Sequence, residues 1–360
     1  MNDNPFKNRL LELIRLARRR RLDAVVLFGQ KNVLSLTGVD CDNGCAVMTA
    51  DGWRLRYATD FRYVPAVRRL APWLDVLDCR RDLDGAAAGF LRDMRPCRRI
   101  GFEGSLPTER YLRLVKAFPS VKFVDIGSDM LDLRAVKTPE EIARIAAAEA
   151  LNDRIWTLSR KEFRPGMTEK DMQRVIRAYM NALGDGEAFE TIVCVGANAA
   201  ECHHVPDDTV WRKGEPLLVD MGVKLDGVCS DMTRCVPAKG GDRAAVDEYA
   251  RIYDIVLSAN MAAIAAAKPG MTGRQLDAVA RRIIRKAGYG KAFGHALGHG
   301  VGYDIHEHPV ASGKSGGVLK PGMLVTIEPG IYLPGKLGVR IEDLVAITDG
   351  GCKVLSRSRK

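Results

Sequence analysis

The chain lacks any apolar run long enough to cross a bilayer. Although 46% of its 360 residues are hydrophobic, no stretch reaches the ~18–20 apolar residues that a spanning helix needs. The nearest candidate, Ile255 to Ala267, is interrupted by Ser258 and Asn260 and stops at Lys268. The N-terminal MNDNPFKNRL contains no apolar signal core, so the sequence reads as a soluble protein without an export signal. Nine cysteines are scattered without a single CxxC. That spacing indicates neither a disulfide framework nor a zinc finger, and it suits a reducing cytoplasm. No nucleophile elbow of the Gly-x-Ser-x-Gly kind is read, and Gly-x-Gly-x-x-Gly does not follow a strand. Ser312-Gly313-Lys314-Ser315 resembles half a phosphate loop, but the first glycine of that motif would fall at His308. Histidine is missing from the first 202 residues, and all six lie between His203 and His308. Imidazole is costly to bury without a partner or a task, so the chemistry is expected in the second part of the chain.

What is present is the composition of an ordinary globular protein, with 28% charged residues and length enough for two domains. The net charge is +10, and the basic cluster Arg18 to Arg21 could in principle contact nucleic acid. A helix beginning near Pro5 would end there, and a solvated helix C-terminus favours cations; neither nucleic acid nor membrane is expected as a partner. Residues 1–133 alternate between the two periods. Helices are read over Pro5–Arg20, Tyr63–Leu70, Leu83–Met94 and Thr108–Phe118, and strands over Asp23–Phe28, Trp53–Thr59, Arg99–Phe102 and Val121–Val124. The pattern predicts a small α/β domain. A junction is read at Leu133 to Lys137, after which Thr138, Pro139 and Glu141 form a Thr-x-x-Glu capping box opening a long helix. The second domain is assigned to residues 134–360.

That second part contains an internal repeat. Arg-Pro-Gly-Met-Thr at 164–168 recurs as Lys-Pro-Gly-Met-Thr at 268–272, an offset of 104 residues. Each copy caps a helix of the same period, with Met172, Val175, Ile176 and Tyr179 in one and Leu276, Val279, Ala280 and Ile283 in the other. Both helices are expected to end in glycine, at Gly184 and Gly288. Each copy then reaches His-x-x-Pro, at His203 and at His306. Further on, Asp220 and Glu328 each follow a short apolar strand, and Gly227-Val228-x-x-Asp231 pairs with Gly338-Val339-x-x-Glu342. The expectation is an α+β domain whose two related halves bring four carboxylates together about a pseudo-two-fold axis. Asp226-Gly227 is read as the turn that places Asp220 and Asp231 on neighbouring strands. Bare carboxylates are expensive to desolvate, and two divalent cations would balance four of them. His299, flanked by glycines in GHGVG, is the expected nitrogen ligand. A donor set so rich in oxygen suits Mn(II) or Co(II), with Zn(II) possible.

These residues resemble the pita-bread metallopeptidases, in particular the Xaa-Pro aminopeptidase and prolidase branch with a creatinase-type N-terminal domain. The ligand motifs are Asp220 in LLVDMG, Asp231 in SDMTR, His299 in GHGVG, Glu328 in TIEPG and Glu342 in VRIED; LSLTG, ATDFRY and LRAVKTPEEI extend the likeness to the front domain. The resemblance implies a dinuclear centre in which Asp231 and Glu342 bridge, Asp220 holds one metal, and His299 with Glu328 holds the other. It places His203, His295, His306, Arg340 and Tyr332 around the site as further catalytic residues. His306 and His295 are expected as donors to the charge developing on the scissile carbonyl, and Glu328 as proton shuttle. His204 and His308 are read as structural. Val228 and Cys235 depart from the residues common in the family, which touches substrate fit. The implied activity is cleavage of short peptides before proline. Xaa-Pro dipeptides are favoured over longer Xaa-Pro-Xaa substrates, with Arg340 or a partner's Arg62 meeting a substrate carboxylate. A homodimer is implied, the front domain of one chain helping to enclose the other's site.

Overall fold

The computed structural model describes residues 6–49, 54–93, 97–239 and 242–360. Pro5, Trp53 and Met94, at the ends of three expected elements, lie outside them. The chain divides between Arg134 and Ala135 into two compact units.

The first unit runs α1 (Lys7–Arg20), β1 (Ala24–Leu27), α2 (Gln30–Thr37), β2 (Gly44–Thr49), β3 (Arg54–Thr59), α3 (Val64–Leu70), β4 (Asp75–Asp78), α4 (Leu83–Arg92), β5 (Arg99–Phe102), α5 (Thr108–Ala117), β6 (Lys122–Asp125) and α6 (Gly127–Ala135). The strands form one mixed sheet in the order β4-β3-β2-β1-β5-β6, with antiparallel pairs around β2 and parallel pairs elsewhere. Successive side chains of a strand point to opposite faces. Val25 and Leu27 thus pack with α1 residues Leu13 and Leu16 on one face, while Ala24 and Val26 pack with α4 residues Ala87 and Phe90 on the other. The sequence reading missed α2, β2, β4 and α6. The junction expected at Leu133 to Lys137 begins in the last turn of α6. Arg18, Arg19 and Arg20 form the last turn of α1, Arg21 is its left-handed cap, and Arg20 pairs with Asp129 at 2.7 Å.

The second unit comprises α7 (Pro139–Glu162), α8 (Glu169–Leu183), β7 (Ile192–Val195), β8 (Leu217–Met221), β9 (Lys224–Leu225), β10 (Val228–Cys229), β11 (Met232–Val236), α9 (Arg243–Ala266), α10 (Gly273–Lys286), β12 (Gly298–Gly300), β13 (Glu307–Ala311), β14 (Leu324–Ile327), β15 (Gly330–Leu333), β16 (Leu337–Arg340), β17 (Asp343–Ile347) and β18 (Cys352–Val354). It is α+β, and the repeat is structural. The capping box of Thr138 and Glu141 opens α7. Thr168 and Thr272 cap α8 and α10 with boxes completed by Asp171 and Gln275. The two threonines also make equivalent isolated bridges, to Val210 and Val318. Each half then runs strand, short hairpin, strand: β8, β9-β10, β11 in one and β14, β15-β16, β17 in the other. Helix α8 ends at its glycine as expected, and α10 differs by one residue. Gly184 follows α8 in extended backbone. Past α10 the cap is Ala287, with Gly288 at φ +93° one residue later.

Among the described residues no helix is long and apolar enough to cross a membrane.

Candidate metal centre

Asp220 is held by strand pairing on both sides. On β8 it lies opposite Thr233 of β11 and Ile192 of β7, so its direction is set by a register that one residue's slip would reverse. Asp226 and Gly227, at φ +50° and +74°, make the tight turn that joins β9 to β10, and the chain returns to place Asp231 just ahead of β11. The second half repeats the device. Ile327 pairs with Asp343, which puts Glu328 and Glu342 side by side at the ends of β14 and β17. His299 enters from β12, its backbone N–H donating to Thr326 Oγ1 at 3.0 Å. The flanking glycines are required: a Cβ on Gly298 would lie 1.9 Å from the Thr326 carbonyl oxygen, and one on Gly300 2.2 Å from that of His308.

The five expected ligands line one cavity of about 590 Å³, together with His203, His295, His306 and Arg340. Asp231, His299 and Glu342 each present a ligand atom within 4.8 Å of the others. His299 Nε2 lies 3.4 Å from Glu328 Oε1 and 3.6 Å from Asp231 Oδ2. The ring's Nδ1–H donates to the Gly300 carbonyl at 3.1 Å, which leaves the Nε2 lone pair aimed into the cluster. Burial, reinforced by His306, lowers the imidazole to about 4, so it is the neutral, ligating form.

The carboxylates tell the same story. Asp231 and Glu342 are nearly fully buried, at 4% and 2% exposure. Burial and then their acidic neighbours push both well above the carboxylate range, and burial carries Glu328 to about 8. Asp220 Oδ1 is buried with no hydrogen-bond partner. Arg340 is the one arginine or lysine against this group of four acids among the described residues lining the cavity. Divalent cations would supply the missing positive charge, the partner for the orphaned oxygen and the acceptor for the imidazole lone pair. The donor set therefore fits such ions.

Supporting contacts were less legible in the sequence. Thr233 Oγ1 donates to Glu342 at 2.7 Å and Thr326 Oγ1 to Glu328 at 3.2 Å. Buried Glu149 of α7 accepts the Asp231 backbone N–H at 3.0 Å and the Ser356 hydroxyl at 2.6 Å. Asn152 and Asn260, both fully buried, donate to the Met221 carbonyl and to those of Ile327 and Ile341. The two asparagines stand 108 residues apart, as do Asp220 and Glu328; that offset was the available signal. On α10, Asp277 and Arg281 bind each other and clamp the following loop. Arg281 donates to the carbonyls of Phe293 and His295 at 2.8 Å, and Asp277 accepts the Leu297 N–H at 3.2 Å.

The histidines separate. His203 and His306 are exposed on the cavity wall, and the His306 ring packs edge-on against His299, 4.3 Å between centroids. His204 is buried and held by Glu169 Oε2 at 2.7 Å, a structural role as read from the sequence. His295 does not match the expected donor. Its Nδ1–H donates to the Ala296 carbonyl at 2.7 Å, and its Nε2 accepts from Tyr332 Oη at 2.9 Å. Both ring nitrogens are thus engaged, and burial lowers the ring to about 4. Arg340 differs too. It donates to Asp220 Oδ2 at 2.7 Å, Tyr332 Oη at 2.9 Å and Thr233 Oγ1 at 3.0 Å. It anchors Asp220 rather than reaching for a substrate carboxylate. Arg62, in the other unit, is paired with Asp60 through Nε and Nη2 at 2.9 and 2.6 Å. Val228 is buried on β10, and the Cys235 thiol donates to the Arg340 carbonyl at 3.3 Å.

Known proteins share this architecture. The Xaa-Pro dipeptidase of Pyrococcus furiosus is 32% identical over 356 residues, covering 99% of each chain. The structure of a Xaa-Pro dipeptidase from Bacillus anthracis superposes with a TM-score of 0.92 at 31% identity, over 99% of this chain and 98% of that one. That of an X-Pro aminopeptidase from Thermotoga maritima gives 0.85 at 30%, over 95% and 97%. Residues 9–136 match the creatinase/prolidase N-terminal domain and residues 143–349 the metallopeptidase family M24. The chain is a peptidase of metallopeptidase family M24, built as a creatinase-type α/β domain followed by the pita-bread domain that the repeat and its carboxylates foretold.

Proposed function

We propose that the chain is a dinuclear-metal hydrolase that cleaves the bond between an N-terminal residue and proline, acting on Xaa-Pro dipeptides as a prolidase. The observation that carries this reading is the convergence of Asp220, Asp231, His299, Glu328 and Glu342 on one cavity as buried and half-buried donors short of positive charge. Asp231 and Glu342 would bridge two cations, Asp220 would hold one, and His299 with Glu328 the other; Mn(II) or Co(II) suits the set best. When bound, such ions polarise the scissile carbonyl and lower the pKa of water.

The chain's own residues do the rest. His306, exposed on the wall, donates to the oxygen of the carbonyl under attack. His295 is a positioning residue, locked between Ala296 and Tyr332 with Arg340 behind the tyrosine. Proline's nitrogen bears no hydrogen in the peptide bond, so it leaves only once protonated, and Glu328 delivers that proton. His203, exposed and lining the same cavity, lies within reach of the substrate's path.

A second reading, an aminopeptidase on longer Xaa-Pro-Xaa peptides, is favoured by one observation. Among the described residues lining the cavity, Arg340 is the sole arginine or lysine, and its donors are taken by Asp220, Tyr332 and Thr233. A dipeptide's carboxylate needs a cation that this unit does not offer there. Hydrolysis of Ala-Pro and Ala-Pro-Ala with Mn(II), Co(II) or Zn(II) decides. Ala-Pro cleavage supports the dipeptidase; cleavage of the tripeptide alone establishes the aminopeptidase. Release of N-terminal methionine with neither cut overturns the proline specificity. The enzyme is also proposed to work as a cytoplasmic homodimer, the partner's front domain enclosing the site; an active monomer in sedimentation would refute the dimer.

A further inference from the structure

The cavity wall carries one charged group that the metal chemistry does not use. Glu190 lines the cavity, is exposed, and makes no hydrogen bond or ion pair with any described residue. Its position follows from the sheet. Ile192 lies directly opposite Asp220 in the β7–β8 register, and directly opposed residues share a face. Thr191, between them, is fully buried. Glu190 therefore stands outward of Ile192, within two residues and so at most about 7 Å along the chain.

The charges on that wall leave it unmatched. The four ligand carboxylates are balanced by two dications, and Arg340 is committed to Asp220. Glu190 remains as a fixed negative charge facing whatever enters. Phe189 and Ile192, next to it in the chain, line the same cavity, as does Ile305, and all three are apolar. A carboxylate near apolar side chains matches a lysine or arginine side chain, whose methylene stem covers apolar surface while its head stays charged. The substrate's α-amine belongs deeper, beside Asp220 and the cations, and Glu190 lies a side chain's length further out.

We propose that Glu190 is a specificity-determining residue that selects peptides with lysine or arginine before proline. The proposal rests on the Xaa-Pro reading and deepens it by naming the substrate class. An exposed ion pair is modest, so the preference is modest: about 2- to 5-fold in kcat/KM for the lysine peptide over its norleucine counterpart, expressed mainly in KM.

The test compares metal-loaded wild type, Glu190→Gln and Glu190→Lys on Lys-Pro, norleucine-Pro and Glu-Pro and on the same three extended by alanine, read in the series the enzyme cleaves. The wild type should rank lysine first, Glu190→Gln should bring the lysine-to-norleucine ratio close to one, and Glu190→Lys should turn the ranking toward the glutamate peptide. A wild-type ratio near one, or a ratio that survives Glu190→Gln, overturns the proposal while leaving proline specificity intact. Equal losses on all three peptides also overturn it, since they would assign Glu190 to the α-amine. Failure of the wild type to cut any peptide of either series overturns the Xaa-Pro reading, and this proposal with it.

Discussion

Replacing Arg340 by methionine should destabilise the protein more than any exposed charge deletion, because the residue is 3% exposed and anchors three groups at once. Methionine keeps much of the apolar volume and removes the guanidinium. Asp220 then loses its ion-pair partner at 2.7 Å while its side chain is only 14% exposed. Breaking a buried pair from one side costs about 3–5 kcal/mol. The partial exposure of Asp220 argues for the lower end, and the lost bonds to Tyr332 and Thr233 add about 1 kcal/mol each. A total of about 5 kcal/mol lowers the melting temperature by ~10–20 °C in a unit of this size. The assay is thermal unfolding by circular dichroism of chelator-treated wild type and variant. Adding Mn(II) should narrow the difference, since a dication replaces the charge that Asp220 lost. A double variant with Asp220→Asn should lose less than the two single variants together, as expected for residues in contact. A fall below about 2 °C in metal-free protein would refute the reasoning, as would full additivity.

Four further outcomes are expected. His306→Ala should keep its metal and lose about 10²–10³ in kcat, the usual cost of an oxyanion donor; loss of metal instead would make His306 a ligand. His295→Ala should lose less than His306→Ala at unchanged metal content, measured side by side, because its nitrogens are bound within the protein; the reverse order would restore it as the donor. Asp277→Asn should raise KM and lower kcat together by loosening the loop at Phe293–Leu297, and identical kinetics would remove the clamp from the account. Metal-stripped protein should lose stability as pH rises from about 6.5, above which the depressed His295 and His299 no longer contribute, to about 8. Burial raises Glu149 and Glu328 from the ordinary 4.5 to about 8, so the native state holds protons that the unfolded chain has released, and that stabilisation is lost as pH climbs through the folded values. Urea midpoints at the two pH values test it; a midpoint that rises with pH contradicts it.

The repeat made the centre readable. Proline-glycine turns, Thr caps and carboxylates after apolar strands are local signals, and the structure puts each at the equivalent place in its half. What stayed hidden was set by tertiary contact. Strand β2 is buried on both faces, so its residues show no alternation and give no period to read. Helix α6, which runs into the junction read at Leu133 to Lys137, has a weak amphipathic pattern that left little to detect. The His295 tautomer depends on Tyr332, 37 residues away. Arg340's commitment to Asp220 crosses 120 residues, and no spacing rule reveals it. Glu149 and the two asparagines sit mid-helix, where a polar residue reads as solvent-facing until the fold shows what it meets.

The central claim is that two cations held by five named residues carry the chemistry. Its most direct test is metal content measured with activity on one preparation of wild type and Asp231→Asn, loaded with Mn(II) by equilibrium dialysis. The account predicts two metal ions per wild-type chain. It predicts depleted metal and lost hydrolysis in the variant, since a buried bridging charge is gone. Full activity in metal-stripped wild type, or a fully loaded and active Asp231→Asn, would contradict it.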